Sequence, residues 1–147
     1  MRRNLTILAF ALALVLSGFA YAASDAVKVD GGLITGTAAD GVRSFKGIPF
    51  AAPPVGELRW KAPQPVVAWE GVRKCEAFGP DCPQAPYPAG SLFYSAPRKQ
   101  SEDCLYLNVW TAAKGDGKRP VMVWIHGGAL TRGSGATRTY DGTAFAK

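Results

Sequence analysis

Histidine occurs once in these 147 residues, as His126, and cysteine three times, as Cys75, Cys82 and Cys104. That scarcity argues against a metal centre: the cysteine spacing fits no zinc pattern, and His126 is not placed to complete one. No metal and no cofactor are expected. Phosphate-cradling glycine loops are missing too. There is no G-x-x-x-x-G-K-S/T, and no G-x-G-x-x-G at a strand end. The formal charge is +6, yet Lys28, Arg43, Lys46, Arg59, Lys61 and Arg73 are scattered, with no stripe and no RNA-binding motif. A solvated surface is expected, and no nucleic-acid partner. Charged residues are only 19% of the chain and hydrophobic ones 48%, which fits one small globular domain and not a disordered chain. No internal repeat is visible.

What is present begins with an unusual start. Arg2 and Arg3 precede an almost unbroken apolar run from Leu5 to Leu16, then Ser17-Gly18-Phe19 and the triplet Ala20-Tyr21-Ala22. This is the charged, apolar and small-x-small layout of a cleavable signal peptide, and the run is short for a membrane span. Residues 1–22 are expected to be removed after Ala22, giving a secreted or periplasmic protein with no membrane attachment. No cysteine near the cleavage site suggests a lipid anchor, and the twin-arginine reading of Arg2-Arg3 has no further residues behind it. Export implies an oxidising compartment, so three cysteines predict one bridge and one leftover thiol.

Beyond residue 22, short strand-like stretches alternate with turn signals. Val27–Asp30 and Leu33–Thr37 flank Gly31-Gly32, and Asp40-Gly41 precedes Val42–Ile48, predicting a small antiparallel meander over 27–48. Residues 49–65 are proline-rich, with Trp60 and Trp69 expected to anchor them. Residues 78–100, with five prolines, predict a long loop. Leu105–Trp110 alternates as a strand should. Val121-Met122-Val123-Trp124-Ile125 is apolar throughout and predicts a strand buried on both faces. A helix is expected to start near Asp141.

The predicted buried strand runs into His126-Gly127-Gly128-Ala129-Leu130 and then Gly133-Ser134-Gly135. Glycines there let backbone amides face a pocket. Acyl transfer uses such amides, because its tetrahedral intermediate carries negative charge on the former carbonyl oxygen. Each preorganised N–H donor lowers that barrier by roughly 3 kcal/mol. An H-G-G-G-type segment in this position is the known oxyanion loop of lipases and esterases. Four residues alone leave a plain glycine-rich turn as an equal alternative.

Three further blocks narrow the choice. Lys46-Gly47-Ile48-Pro49-Phe50-Ala51 followed by Pro53-Pro54-Val55-Gly56-Glu57-Leu58-Arg59-Trp60, then Ser101-Glu102-Asp103-Cys104-Leu105-Tyr106-Leu107-Asn108-Val109-Trp110, then Val121–Gly128, resemble the type B carboxylesterases, the family that includes the cholinesterases. The blocks stand in family order and span residues 27 to 147. The resemblance implies residues 23–147 as the N-terminal part of an α/β-hydrolase domain: small antiparallel strands, then the first strands of the large central sheet, incomplete at the C-terminus. It also implies hydrolysis of small-molecule carboxylic esters through a serine acyl-enzyme. A secreted, non-catalytic binding protein on the same fold, as in the family's adhesion members, is the alternative. Neither the ester nor the oligomeric state is specified.

By the same resemblance, Gly128 and Ala129 supply oxyanion-hole amides, with His126, Gly127 and Leu130 as the loop around them. Cys82 and Cys104 match the family's first disulfide, leaving Cys75 free. Arg59 and Glu102 match a buried ion pair. Departures are Ala129 for a third glycine, Leu130 for an aromatic and Ala112 for a common proline. Alanine keeps its N–H, but loss of the aromatic should reshape the acyl pocket. The family nucleophile lies in G-E-S-A-G, and no serine here has glycine two before and two after; Ser134 comes nearest, with Arg132 before it. Nucleophile, acid and base are therefore expected downstream, and this chain alone is expected to be inactive. Adjacent Glu102 and Asp103 point apart on an extended chain, so structural roles are expected for both.

Overall fold

A computed structural model describes residues 26–115 and 117–147; the expected signal segment 1–22 lies outside the described residues. The N-terminal part builds two small sheets. Strands β1 (Val27–Val29), β2 (Gly32–Thr35) and β5 (Val72–Lys74) form one, in the order β1-β2-β5. Strands β3 (Thr37–Ala39), β4 (Val42–Pro49) and β6 (Tyr106–Thr111) form the other, in the order β3-β4-β6.

Both expected hairpins are present, but not as one meander. The chain breaks at Gly36 and continues in the second sheet. Asp40 and Gly41 have φ of 51° and 78°, and Ala39 pairs with Val42 across them. Positive φ at both central residues is the geometry that matches hairpin twist, and Asp-Gly adopts it cheaply. Strand β5 pairs parallel to β2, a pairing that three residues without periodicity did not announce.

Strand β4 carries the core. A register shift between Phe45 and Ile48 inserts one extra residue opposite β6. Gly47 sits in this bulge at φ 71°, and its N–H donates to Asn108 Oδ1 of β6 at 2.9 Å. The bulge turns both Phe45 and Ile48 inward, although they are three residues apart. With Ile34 and Cys75 they form the buried cluster, and Val27, Val29 and Trp69 pack around it. Burying each of the larger apolar side chains contributes on the order of 2 kcal/mol.

Cys75 lies at the seam of the two sheets. Its N–H donates to the Thr35 carbonyl and its own carbonyl accepts from Lys46 N–H, both at 2.7 Å. It is the free cysteine, 1% exposed. Burial pushes its thiol above the ordinary value, against a smaller downward pull from Arg73.

The two expected tryptophan anchors behave differently. Trp69 packs on Gly31 and Gly32, where any side chain would collide with its ring, and its indole N–H donates to the Leu33 carbonyl at 2.9 Å. Trp60 is 93% exposed and anchors nothing.

Residues 78–104 form the predicted loop. It is closed at its base by the Cys82–Cys104 disulfide, Cα atoms 5.2 Å apart, and by a bridge between Asp81 and Gln100. At the end of the chain a short 3-10 turn (Arg138–Tyr140) leads to α1 (Thr143–Ala146), where the helix was expected. The Thr143 side chain and, at 2.9 Å to Oδ1, its N–H hold the Asp141 carboxyl below its ordinary range.

The expectation of a buried strand at 121–125 is not met. Val121, Val123 and Ile125 are 87%, 78% and 84% exposed, and none of the run is in a ladder. A strand apolar on both faces needs neighbours along its edges and cover on each face. Among the described residues nothing supplies either; Trp124 only meets the ring of Tyr140, at 5.4 Å. Strand β6 alternates as read. It half-covers Tyr106, Asn108 and Trp110 and leaves Leu107 and Val109 open on its other face. No helix among the described residues is long and apolar enough to cross a membrane.

Candidate functional site

The glycine-rich segment after Ile125 folds into a tight loop. Gly128 has φ 126°, and a side chain there would overlap the Arg132 carbonyl. The Gly128 carbonyl accepts three bonds: Thr131 N–H at 3.1 Å, Arg132 N–H at 3.2 Å and Thr131 Oγ1 at 3.1 Å. Ala129 and Leu130 both sit in the left-handed region, at φ 52° and 61°. For non-glycine residues that conformation costs on the order of 1 kcal/mol each.

The outcome of this backbone path is specific. Among the described residues, neither the Gly128 nor the Ala129 N–H meets an acceptor. The Gly128 carbonyl is saturated while the Gly128 and Ala129 amides are open. Two unengaged N–H groups held by a strained turn are donors available to an anion. His126 points its Nδ1 at the Gly127 carbonyl, 2.9 Å away, and Leu130 is fully exposed.

The loop closes at Gly133. Its φ is 112°, and it lies so close to Gly127 and the His126 ring that a β-carbon would strike both. Gly133 is held by the disulfide-closed segment. Its N–H donates to Gln84 Oε1 at 2.5 Å, and Gln84 Nε2 returns a bond to its carbonyl at 2.9 Å. Next to it, the Ser134 hydroxyl donates to Asp81 Oδ1 at 2.6 Å, and Arg98 Nε reaches the same oxygen at 3.1 Å. Arg98 also donates to the Gly79 carbonyl and lies 5.5 Å over the Phe78 ring. Gln84, Asp81 and Arg98 went unread in the sequence. They lie in a proline-rich stretch without periodicity, and only their nearness to Cys82 could have drawn attention to them.

A cavity of about 780 Å³ opens beside the loop. Its wall takes Gly127, Gly133 and Ser134 from one side and Tyr87, Phe93 and Tyr94 from the other, with Tyr140 beyond. Gly128 and Ala129 are not part of this wall.

The other residues singled out in the sequence fall as follows. Arg59 and Glu102 meet at 2.6 Å, but their side chains are 57% and 40% exposed, so the pair is not buried as expected. The exposed Trp60 beside it offers no cover. At that exposure such a pair stabilises by about 1 kcal/mol or less. Glu102 and its neighbour Asp103 do turn to different partners, for Asp103 accepts from the Tyr106 hydroxyl at 3.0 Å. Burial first, then this bond and the nearby carboxylate, raise the Tyr106 phenol above its ordinary value. No cluster of three or more metal-binding side chains occurs among the described residues.

Comparison with known proteins places this geometry in context. Residues 23–147 match the carboxylesterase family. The chain is 49% identical over 115 residues to a para-nitrobenzyl esterase of Bacillus subtilis, covering 78% of this chain and 23% of that protein. It is 47% identical over 118 residues to a phenmedipham hydrolase of Pseudarthrobacter oxydans, covering 79% and 24%. A solved para-nitrobenzyl esterase superposes with a TM-score of 0.75 at 48% identity, covering 83% of this chain and 25% of that one. A Geobacillus stearothermophilus carboxylesterase superposes with a TM-score of 0.70 at 47% identity, covering 83% and 24%. These structural neighbours are α/β-hydrolase esterases, and the two small sheets here are part of that larger fold. The chain spans about a quarter of the length of the relatives it matches.

Proposed function

This chain belongs to the carboxylesterase family, and from that premise we propose that it serves hydrolysis of small carboxylic esters by a serine acyl-enzyme route, supplying the oxyanion donors. The observation that carries the proposal is the open pair of amides at Gly128 and Ala129, in a turn closed by three bonds to the Gly128 carbonyl. Attack on an ester carbonyl moves negative charge onto its oxygen. Donors fixed before the reaction stabilise that charge without having to reorganise, which is where most of their effect arises. Ala129 replaces a side-chain-free residue without losing the N–H, so the donor count is unchanged.

The nucleophile and its base are not among these 147 residues: no serine stands in a G-x-S-x-G, and His126 belongs to the loop itself. On this reading the chain alone shows no esterase rate above background, since attack needs an activated nucleophile. Residues 1–22 act as a signal peptide cleaved after Ala22, and residues 23–147 enter the hydrolase domain in a secreted or periplasmic protein.

The test removes one donor, the Ala129 N–H; the Gly128 carbonyl stays in place as a weaker, ester acceptor. Residues 26–147 are exchanged for the equivalent stretch of the Bacillus subtilis para-nitrobenzyl esterase, and Ala129 is replaced by lactic acid, which keeps the methyl group and deletes the N–H. A fall in kcat of about 10²- to 10³-fold is expected. An unchanged kcat would refute the oxyanion role. A chimera that binds ester but turns none over, with the serine nucleophile intact, would favour a binding protein on the same fold.

A further inference from the structure

Gln84 uses its whole side-chain amide, and nearly all of it on the backbone of one residue. Oε1 accepts the Gly133 N–H, while the two Nε2 hydrogens go to the Gly133 carbonyl at 2.9 Å and the Cys82 carbonyl at 3.0 Å. The backbone of Gln84 is gripped in the same manner by a second glutamine. Gln84 N–H donates to Gln100 Oε1 at 3.2 Å, and Gln100 Nε2 donates to the Gln84 carbonyl at 3.0 Å. Two amide side chains thus form consecutive two-point clasps, from Gln100 to Gln84 to Gly133. The base of this chain of contacts is fixed by the Cys82–Cys104 bridge and by the backbone bonds between Asp81 and Lys99 and Ser101.

The far end of the clasp matters because of where Gly133 stands. It abuts Gly127 and the His126 ring, so the exit of the loop is seated against its entry. Between these ends lie the strained Ala129 and Leu130, with no buried residue to hold them. Among the described residues no buried side chain packs on this loop; its own turn bonds, Arg132 over the Tyr87 ring and the polar contacts at its exit hold it.

We propose that Gln84 is a positioning residue for ester hydrolysis, its carboxamide clamping Gly133 so that the Gly128 and Ala129 amides stay aimed. The proposal rests on the oxyanion reading above. Gln84 need not touch substrate, and its effect passes through the loop. A misplacement of about 1 Å at such a site can cost on the order of 10²-fold in rate.

Two settings test it. In the 147-residue chain, amide exchange is followed by NMR. Gln84→Ala should speed exchange at Gly133 by about tenfold or more, while Gln84→Glu, which keeps the acceptor for that N–H, should not; amides of β4 should not change. In the chimera, Gln84→Ala should lower kcat about tenfold with KM unchanged. Gln84→Glu should start low and climb toward the unaltered chimera as pH falls, because a protonated carboxyl can again donate to the Gly133 carbonyl. Taking the ratio of the two rates at each pH cancels the titration of the catalytic groups they share. Equal Gly133 exchange in both variants overturns the clamp. So does an unchanged kcat in Gln84→Ala while deletion of the Ala129 N–H still lowers kcat by about 10²-fold or more. If neither change affects kcat, it is the oxyanion reading that falls. Should the Gln84→Ala chimera fail to fold, Gly133 exchange in the chain and the Gln84→Glu pH series decide the matter.

Discussion

The two halves of this molecule are held together by different forces. Up to Cys75, residues such as Ile34, Val42, Phe45 and Ile48 are buried and the sheets close around them. After Cys75, no described residue is buried at all. Apart from the ladder that joins β6 to β4, the later half holds its shape through glycine backbone, a disulfide, charge-assisted hydrogen bonds and a pair of glutamines. The apolar half is sustained by area removed from water, which is non-directional and tolerant of small shifts. The polar half depends on individual bonds whose loss is local and directional. The loop proposed to aim two amides is built from the second kind of contact.

That contrast can be broken most severely in the core. Phe45→Ala should lower unfolding free energy by about 3–5 kcal/mol, read from the urea midpoint. If the halves are as separate as described, Gly133 exchange under strongly native conditions should change far less than exchange in β4.

Next comes the disulfide. Replacing Cys82 and Cys104 together by serine opens a link between residues 22 apart. The chain-entropy view predicts a loss of about 3 kcal/mol. Here exchange at Gly133 and Ser134 should rise together with the loss of stability, the reverse of the Phe45 variant. A non-reducing peptide map joining Cys75 to either partner would contradict the pairing.

A smaller effect is expected from Ser134→Ala. It removes the bond to Asp81 and the one Ser134 Oγ accepts from Ala136 N–H. A loss of about 1–2 kcal/mol follows from a charge-assisted bond in a part-buried site. Proteolysis of the loop exit should be faster while the β4 amides stay protected; a global loss of protection would show that the two halves are one cooperative unit.

The smallest effect is set by pH. Cys75 and Tyr106 both have folded pKa values raised mainly by burial. Groups raised in the folded state favour it while neutral. Their contribution is complete below their unfolded pKa values and is lost as pH rises through the folded ones. Urea midpoints should therefore decline from neutral to alkaline pH. Native Cys75 should resist a thiol reagent until urea unfolds the β-sheets. Rapid labelling without unfolding would remove Cys75 from the seam.

How much of this was legible beforehand follows the same division. Asp40-Gly41 and the alternation of Leu105–Trp110 are local signals, and each marks an element that the structure contains; the Cys82–Cys104 pairing was implied by the family resemblance and is present. The two-sheet split at Gly36, the parallel β5 and the bulge at Gly47 depend on tertiary contacts that local pattern does not encode. Hydrophobicity misdirected at Val121–Ile125, because an apolar run states a demand for neighbours and not their presence. At the candidate site, His126-Gly127-Gly128-Ala129 was readable as a motif. Gln84 was not, since a glutamine in a proline-rich loop has no periodicity and its partner lies 49 residues away.

The closed base of the 82–104 segment has a consequence for variation. Cys82–Cys104, the Asp81 backbone bonds and the Gln84–Gln100 clasp all lie at its root, and the tip after Tyr87, up to Pro97, lies beyond them. The root works as a socket and the tip as an interchangeable cassette. Doubling the length of a flexible loop costs only about 0.6 kcal/mol, so the tip can be lengthened, shortened or replaced while the socket stays intact. Because Phe93 and Tyr94 line the cavity from that tip, the shape of the chamber can diversify while Tyr87 keeps its contact with Arg132 of the loop.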